Sequence, residues 1–164
     1  MKELRILGVD LGNVIIDHFA FGTTRKFLIS GDYCKIKPVE NSIECIKDLA
    51  RISFDKVIII YNATDFAYSK IQNWLSHWDL TEDINNSSIQ IVRSSLGRDK
   101  SFDCKRLNVT HFVDDRLEVI LKLRNEVKNL YLFRPQDQEV MNNKTQEVFW
   151  EKANCWVDLK KMLQ

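Results

Sequence analysis

Residues 4–17 read LRILGVDLGNVIID. Leu4, Ile6, Leu7 and Val9 form an almost unbroken apolar run that ends on Asp10, the pattern of a strand covered on both faces rather than on one. A doubly covered strand implies a parallel sheet between layers of helices. A carboxylate just past its end would then stand at the carboxyl edge of that sheet, where ligands gather in such folds.

The chain beyond it repeats the alternation. Residues 39–52 place Ile43, Ile46, Leu49 and Ala50 at helical spacing after Pro38, and residues 56–61, KVIIIY, read as a second buried strand. Thr64 can cap a helix whose apolar face is Ala67, Ile71, Trp74, Leu75 and Trp78. A short strand is expected at 89–92 after a polar run, then a helix over 100–107, a strand over 110–113, a helix over 116–124 and a strand over 129–133. Residues 135–144 read as a loop before a last amphipathic helix carrying Phe149, Ala153, Trp156 and Val157. The expectation is one α/β domain over 1–164, a Rossmann-like three-layer sandwich with a central, mostly parallel sheet. Between the first strand and its helix, residues 17–38 are too few for a folded insertion and read as a flap-like loop, which leaves the site open.

Composition narrows the function classes. Lys plus Arg at 24 against Asp plus Glu at 23 gives a net charge of +1, too little to supply the field for a phosphate backbone, so no nucleic-acid partner is expected. The longest apolar run, 57–61, falls far short of the roughly 20 residues of a membrane helix. Asp10 also interrupts the apolar stretch that a secretory signal would need, so the expected location is the cytoplasm. Cys34, Cys45, Cys104 and Cys155 show no C-x-x-C spacing and read as reduced packing residues.

The residues expected at the strand ends are Asp10, then Asn62 and Thr64, then Asp114 and Asp115, with Lys100 opening the helix before the last pair. Carboxylates, a hydroxyl or amide and a lysine converging there can hold Mg²⁺ and a phosphoryl group, because hard oxygens suit Mg²⁺ and the cations offset phosphate charge. An aspartate beside the metal can attack phosphorus. Each residue also has a plainer account: Asp10 as a turn residue, Asp115 as a favourable helix N-terminal charge, Arg93 and Arg98 as exposed loop arginines, and the four tryptophans as packing or a partner surface. His111, inside a strand, reads as a core or helix-facing histidine. His18, beside Phe19 and Phe21, reads first as a loop-packing residue and second as a proton source.

Four segments in order, GVDLGNVIID, IIIYNAT, Lys100 and THFVDDRLEVI, resemble the motifs of the haloacid dehalogenase (HAD) superfamily of phosphohydrolases. The run through WLSHWDL, RDKSFDCKRLNVTHFVDDRLEVILKL and NLYLFRP extends the resemblance to a small, capless HAD-like group over roughly residues 4–135. The resemblance implies a Mg²⁺-dependent phosphatase in which Asp10 becomes an aspartyl phosphate. Asp10, the Gly12 carbonyl and Asp114 would hold the metal, with Asp115 as a further carboxylate. Tyr61, Asn62, Ala63 and Thr64 would surround the phosphoryl oxygens, and Lys100 would neutralise them. The substrate would be a phosphorylated small molecule or macromolecule, and an oligomer is left open. Two positions depart from the pattern: Gly12 stands where the superfamily places its general acid, and Tyr61 where it places Ser or Thr. General acid help is worth about 10²–10⁴-fold, so the alternative is a catalytically weakened module that binds a phosphorylated ligand or a protein partner. A phosphorelay receiver would gather similar groups, but its acidic pair precedes the phosphorylated aspartate, whereas here the single Asp10 comes first.

Overall fold

Strand β1 (Ile6–Val9) is flanked on one side by β2 (Lys56–Asn62) and on the other by β4 (His111–Asp114), parallel to both, with Val9 opposite Ile59 and Val113. The computed structural model describes residues 3–18, 29, 31, 33–81, 88–95, 97–135 and 149–164. Outward from this centre lie β3 (Ile89–Ser94), β5 (Asn129–Phe133) and β6 (Glu151–Ala153), giving the order β3-β2-β1-β4-β5-β6 with every neighbouring pair parallel. The chain runs one way from β1 to β3 and the other way from β4 to β6. The carboxyl ends of β1 and β4 therefore flank the switch point at which open parallel sheets bind ligands.

Strand alternation divides the core between two layers of helices. Val57, Ile59 and Tyr61 of β2 face α1 (Ser42–Ile52), α2 (Asp65–His77) and α5 (Trp156–Leu163). Ile58 and Ile60 face α3 (Lys100–Arg106) and α4 (Leu117–Leu123). This is the α/β three-layer sandwich expected from the double burial of β1, and its described sheet is parallel throughout. Trp74 and Trp156 are fully buried, and each donates its indole N–H to a backbone carbonyl, of Ile36 and Val14 respectively. Among the described residues no helix is long and apolar enough to cross a membrane.

The C-terminal region corrects the sequence expectation. Phe149 and Ala153 do not share a helix with Trp156: residues 151–153 form β6, with Ala153 opposite Phe133, and the helix begins at Trp156, leaving Val157 exposed. EKA is too short and too polar to show a period, and its identity comes from pairing with β5. Of the expected flap over 17–38, residues 19–28, 30 and 32 lie outside the described residues, as do 136–144 of the loop expected over 135–144. The ends of the flap segment meet: Ile16 bridges Pro38 and the Asp17 N–H donates to the Lys37 carbonyl at 3.2 Å.

Candidate active site

The β1–β4 register sets the centre of the site. Asp10 follows Val9 and its N–H donates to the Val113 carbonyl at 2.9 Å, so Asp10 and Asp114 emerge side by side. Lys100 reaches them from α3, whose N-cap Asp99 accepts from the Ser101 N–H at 2.9 Å and fixes the first turn. The Lys100 ammonium holds Asp10 Oδ1 and, at 2.8 Å, Asp114 Oδ2. The other oxygen of Asp114 accepts from the Arg116 N–H at 3.0 Å. Helix α3 is anchored in turn by buried Asp103, which accepts from the Ser94 hydroxyl and pairs with Arg106.

Asp115 is the third carboxylate: one oxygen from each of Asp10, Asp114 and Asp115 lies within 4.8 Å of the others. Asn13, which adopts a left-handed backbone (φ 57°), donates its amide to Asp115 Oδ2 at 2.8 Å. Burial raises all three carboxyls above their usual range, to about 6 for Asp114 and about 6 for Asp115. The Lys100 charge opposes that rise at Asp10 and Asp114, and the Asn13 hydrogen bond opposes it at Asp115. Lys100 itself is held protonated by the two aspartates, whose attraction outweighs its burial.

This donor set fits a hard divalent cation. Three carboxylates against one ammonium leave an excess of negative charge in a poorly solvated place. Asn13 Oδ1, beside Asp115, is buried with no hydrogen-bond partner.

The surrounding half-open cleft of about 650 Å³ is lined by Asp10, Gly12, Asn62, Ala63, Thr64 and Lys100 among others, so it gathers the residues singled out in the sequence. Their side chains differ in role. Asn62 donates to the Ser95 and Arg98 carbonyls, both at 3.2 Å, and so ties the end of β2 to the loop that delivers Lys100. The Thr64 hydroxyl caps α2 by accepting from the Ala67 N–H at 3.2 Å. Tyr61 lines the cleft as well, but its hydroxyl accepts from Gln72 of α2 at 3.0 Å, and the residue also borders a neighbouring hollow with Arg93. Arg93 is bound to the Ala63 carbonyl and Asp65, while Arg98 lines the cleft with its guanidinium over Phe102.

Gly12 forms a bridge with Ile16, and the imidazole of His18 lies against it in the same cleft. Burial lowers the pKa of His18 and Asp17 partly restores it. Asn13 and Asp99 were not singled out in the sequence. The turn-prone Gly12-Asn13 pair was a usable signal for the first, and an Asp directly before a helix for the second.

The same fold occurs in solved structures. The D,D-heptose 1,7-bisphosphate phosphatase of Burkholderia thailandensis superposes with a TM-score of 0.65 at 10% identity, over 96% of this chain and 97% of that one. The corresponding phosphatase of B. bronchiseptica, complexed with magnesium and phosphate, gives 0.63 at 11%, over 98% of each chain. A haloacid dehalogenase-like family hydrolase from Streptococcus pneumoniae gives 0.62 at 12%, over 98% of this chain and 99% of that one. The fold is thus the one found in these two phosphatases and in this haloacid dehalogenase-like hydrolase. No protein-family model and no curated protein matches the sequence.

Proposed function

We propose that this chain is a HAD-like phosphohydrolase that transfers a phosphoryl group from a phosphorylated small molecule or macromolecule to Asp10 and then to water. The observation that carries the reading is the placement of Lys100 between Asp10 and Asp114, with Asp115 completing the carboxylate group at the sheet's switch point. Shared fold and ordered motifs support it. Asp10, Asp114 and Asp115, with the Gly12 carbonyl, would hold Mg²⁺, which when bound offsets the negative charge of carboxylates and phosphate brought together.

The chain's own residues account for the remaining work. An Asp10 carboxylate oxygen is the nucleophile, held in place through its partner oxygen by Lys100. The Lys100 ammonium also counters charge on the incoming phosphoryl oxygens. Thr64 accepts in its cap, which leaves its hydroxyl proton for a phosphoryl oxygen, and the α2 N-terminus opens beside it. Asn62 acts through the loop it ties, setting where Arg98 and Lys100 stand.

A panel of phosphorylated metabolites and phosphopeptides, assayed with Mg²⁺, tests the reading. Phosphate release is expected in the wild type and lost in Asp10→Asn. Equal release by both proteins overturns it, and Mg²⁺-dependent ligand binding without release favours the weakened binding module.

A further inference from the structure

Residue 13 carries a side chain where the backbone would accept glycine more readily. Asn13 is the left-handed residue of the turn after Asp10 (φ 57°), whereas Gly12 beside it lies outside that region. Glycine enters this conformation without steric cost, and asparagine does so only at some. The turn itself is closed by main chain: the Asn13 N–H donates to the Ile16 carbonyl at 2.8 Å, and the Ile15 and Ile16 N–H groups donate to the Leu11 carbonyl, both at 2.9 Å. The amide of Asn13 is not spent on the turn.

It is spent on Asp115. The Lys100 ammonium holds Asp10 and Asp114, and the third carboxylate instead takes the Asn13 amide, on Oδ2 at 2.8 Å. The difference is one of charge. An ammonium offsets the carboxylate it binds, whereas a neutral amide fixes the group and leaves its whole charge for a cation. The amide's orientation follows from the same contact, because an ionised carboxylate only accepts, so Nδ2 faces Asp115 and Oδ1 is turned from it. That oxygen is buried without a partner, and Asn13 lines the cleft together with Asp10, Asp114 and Asp115. Mg²⁺ keeps several of its waters, which donate outward and need acceptors of this kind.

We propose that Asn13 is the positioning residue of the cation site: its amide holds Asp115 in place for Mg²⁺, and its Oδ1 is an acceptor for the waters the ion retains. The proposal rests on the Mg²⁺ assignment made above. Asn13 does not touch the reacting atoms; it acts through Asp115, and the left-handed backbone at residue 13 aims it there.

The test is a double-mutant cycle in the full chain: Mg²⁺ affinity by calorimetry for the wild type, Asn13→Gly, Asp115→Asn and the double variant, with the melting temperature of each measured free of metal. Glycine suits the left-handed backbone, so the metal-free melting temperature of Asn13→Gly is expected to hold or rise. Its Mg²⁺ affinity is expected to fall by about 10–100-fold, as for partners of metal-ligating groups generally. In the Asp115→Asn background the same change should cost several-fold less, because the amide no longer has a carboxylate to hold. Unchanged affinity in Asn13→Gly, equal losses in both backgrounds, or a loss that comes with a lowered metal-free melting temperature overturns the role given to Asn13. A wild type that takes up no Mg²⁺ overturns the metal assignment and this role with it. Phosphate release retained in Asp10→Asn overturns the phosphohydrolase reading alone, and the comparison of Mg²⁺ affinities still decides the role of Asn13.

Discussion

Lys100 Nζ lies 2.8 Å from Asp114 Oδ2 and also holds Asp10 Oδ1, so one ammonium joins the ends of the two central strands. Asp114 is fully buried and Lys100 nearly so. A buried charge without its counter-ion costs far more than an exposed one, so the pair makes the site part of the fold's stability as well as of its chemistry.

Lys100→Met is expected to lower stability by about 3–5 kcal/mol near pH 7.5, the usual cost of stripping one partner from a buried pair. The loss should shrink near pH 5, because Asp114, with its pKa pushed up to about 6, then takes a proton and no longer needs the ammonium. Urea denaturation at the two pH values measures this. A variant as stable as the wild type at pH 7.5 would contradict the role given to the lysine.

Asp115 gives a second pH signature. Its pKa is raised from 3.8 to about 6, so between those values the folded chain binds its proton more tightly than the unfolded one does. The stabilisation is present below the lower value and lost as pH rises through the upper. Asp115→Asn cannot titrate, so its melting temperature minus that of the wild type should climb from pH 4 to pH 7. Added Mg²⁺ should then favour the wild type over the variant, and a flat difference across the series would count against the buried carboxylate.

Gly8 tests the packing beneath the site. A Cβ there would collide with Phe112 Cδ2 and stand 3.0 Å from Val109 Cγ1, and β1 is paired on both sides, so the backbone cannot withdraw. Gly8→Ala should cost about 1–3 kcal/mol, the usual range for overpacking a core. Phe112→Leu added to it should recover part of the loss, and a neutral Gly8→Ala in urea denaturation would contradict this packing.

The sheet was legible where covering is continuous. Val57 to Ile60 are buried whichever way they point, and such a run has few other readings. Asp10, Lys100, Asp114 and Asp115 were legible for a related reason, since a residue just past a strand or opening a helix is placed by that element. Strand β6 was not: Glu151 and Lys152 are exposed, and only pairing with β5 makes the segment a strand. Nor was the direction of the Tyr61 hydroxyl, which follows from which layer its strand position faces. The contact of His18 with Gly12 depends on a chain reversal closed by Ile16 and Pro38, and no local period announces it.

The most direct test is to look for the phosphoryl group on Asp10. The wild type, mixed with an aryl phosphate and Mg²⁺ and quenched in acid during turnover, is expected to carry a hydroxylamine-labile phosphoryl group on the peptide that contains Asp10, and Asp10→Asn none. Turnover with no phosphorylated peptide, or with the label on another residue, would contradict the proposal.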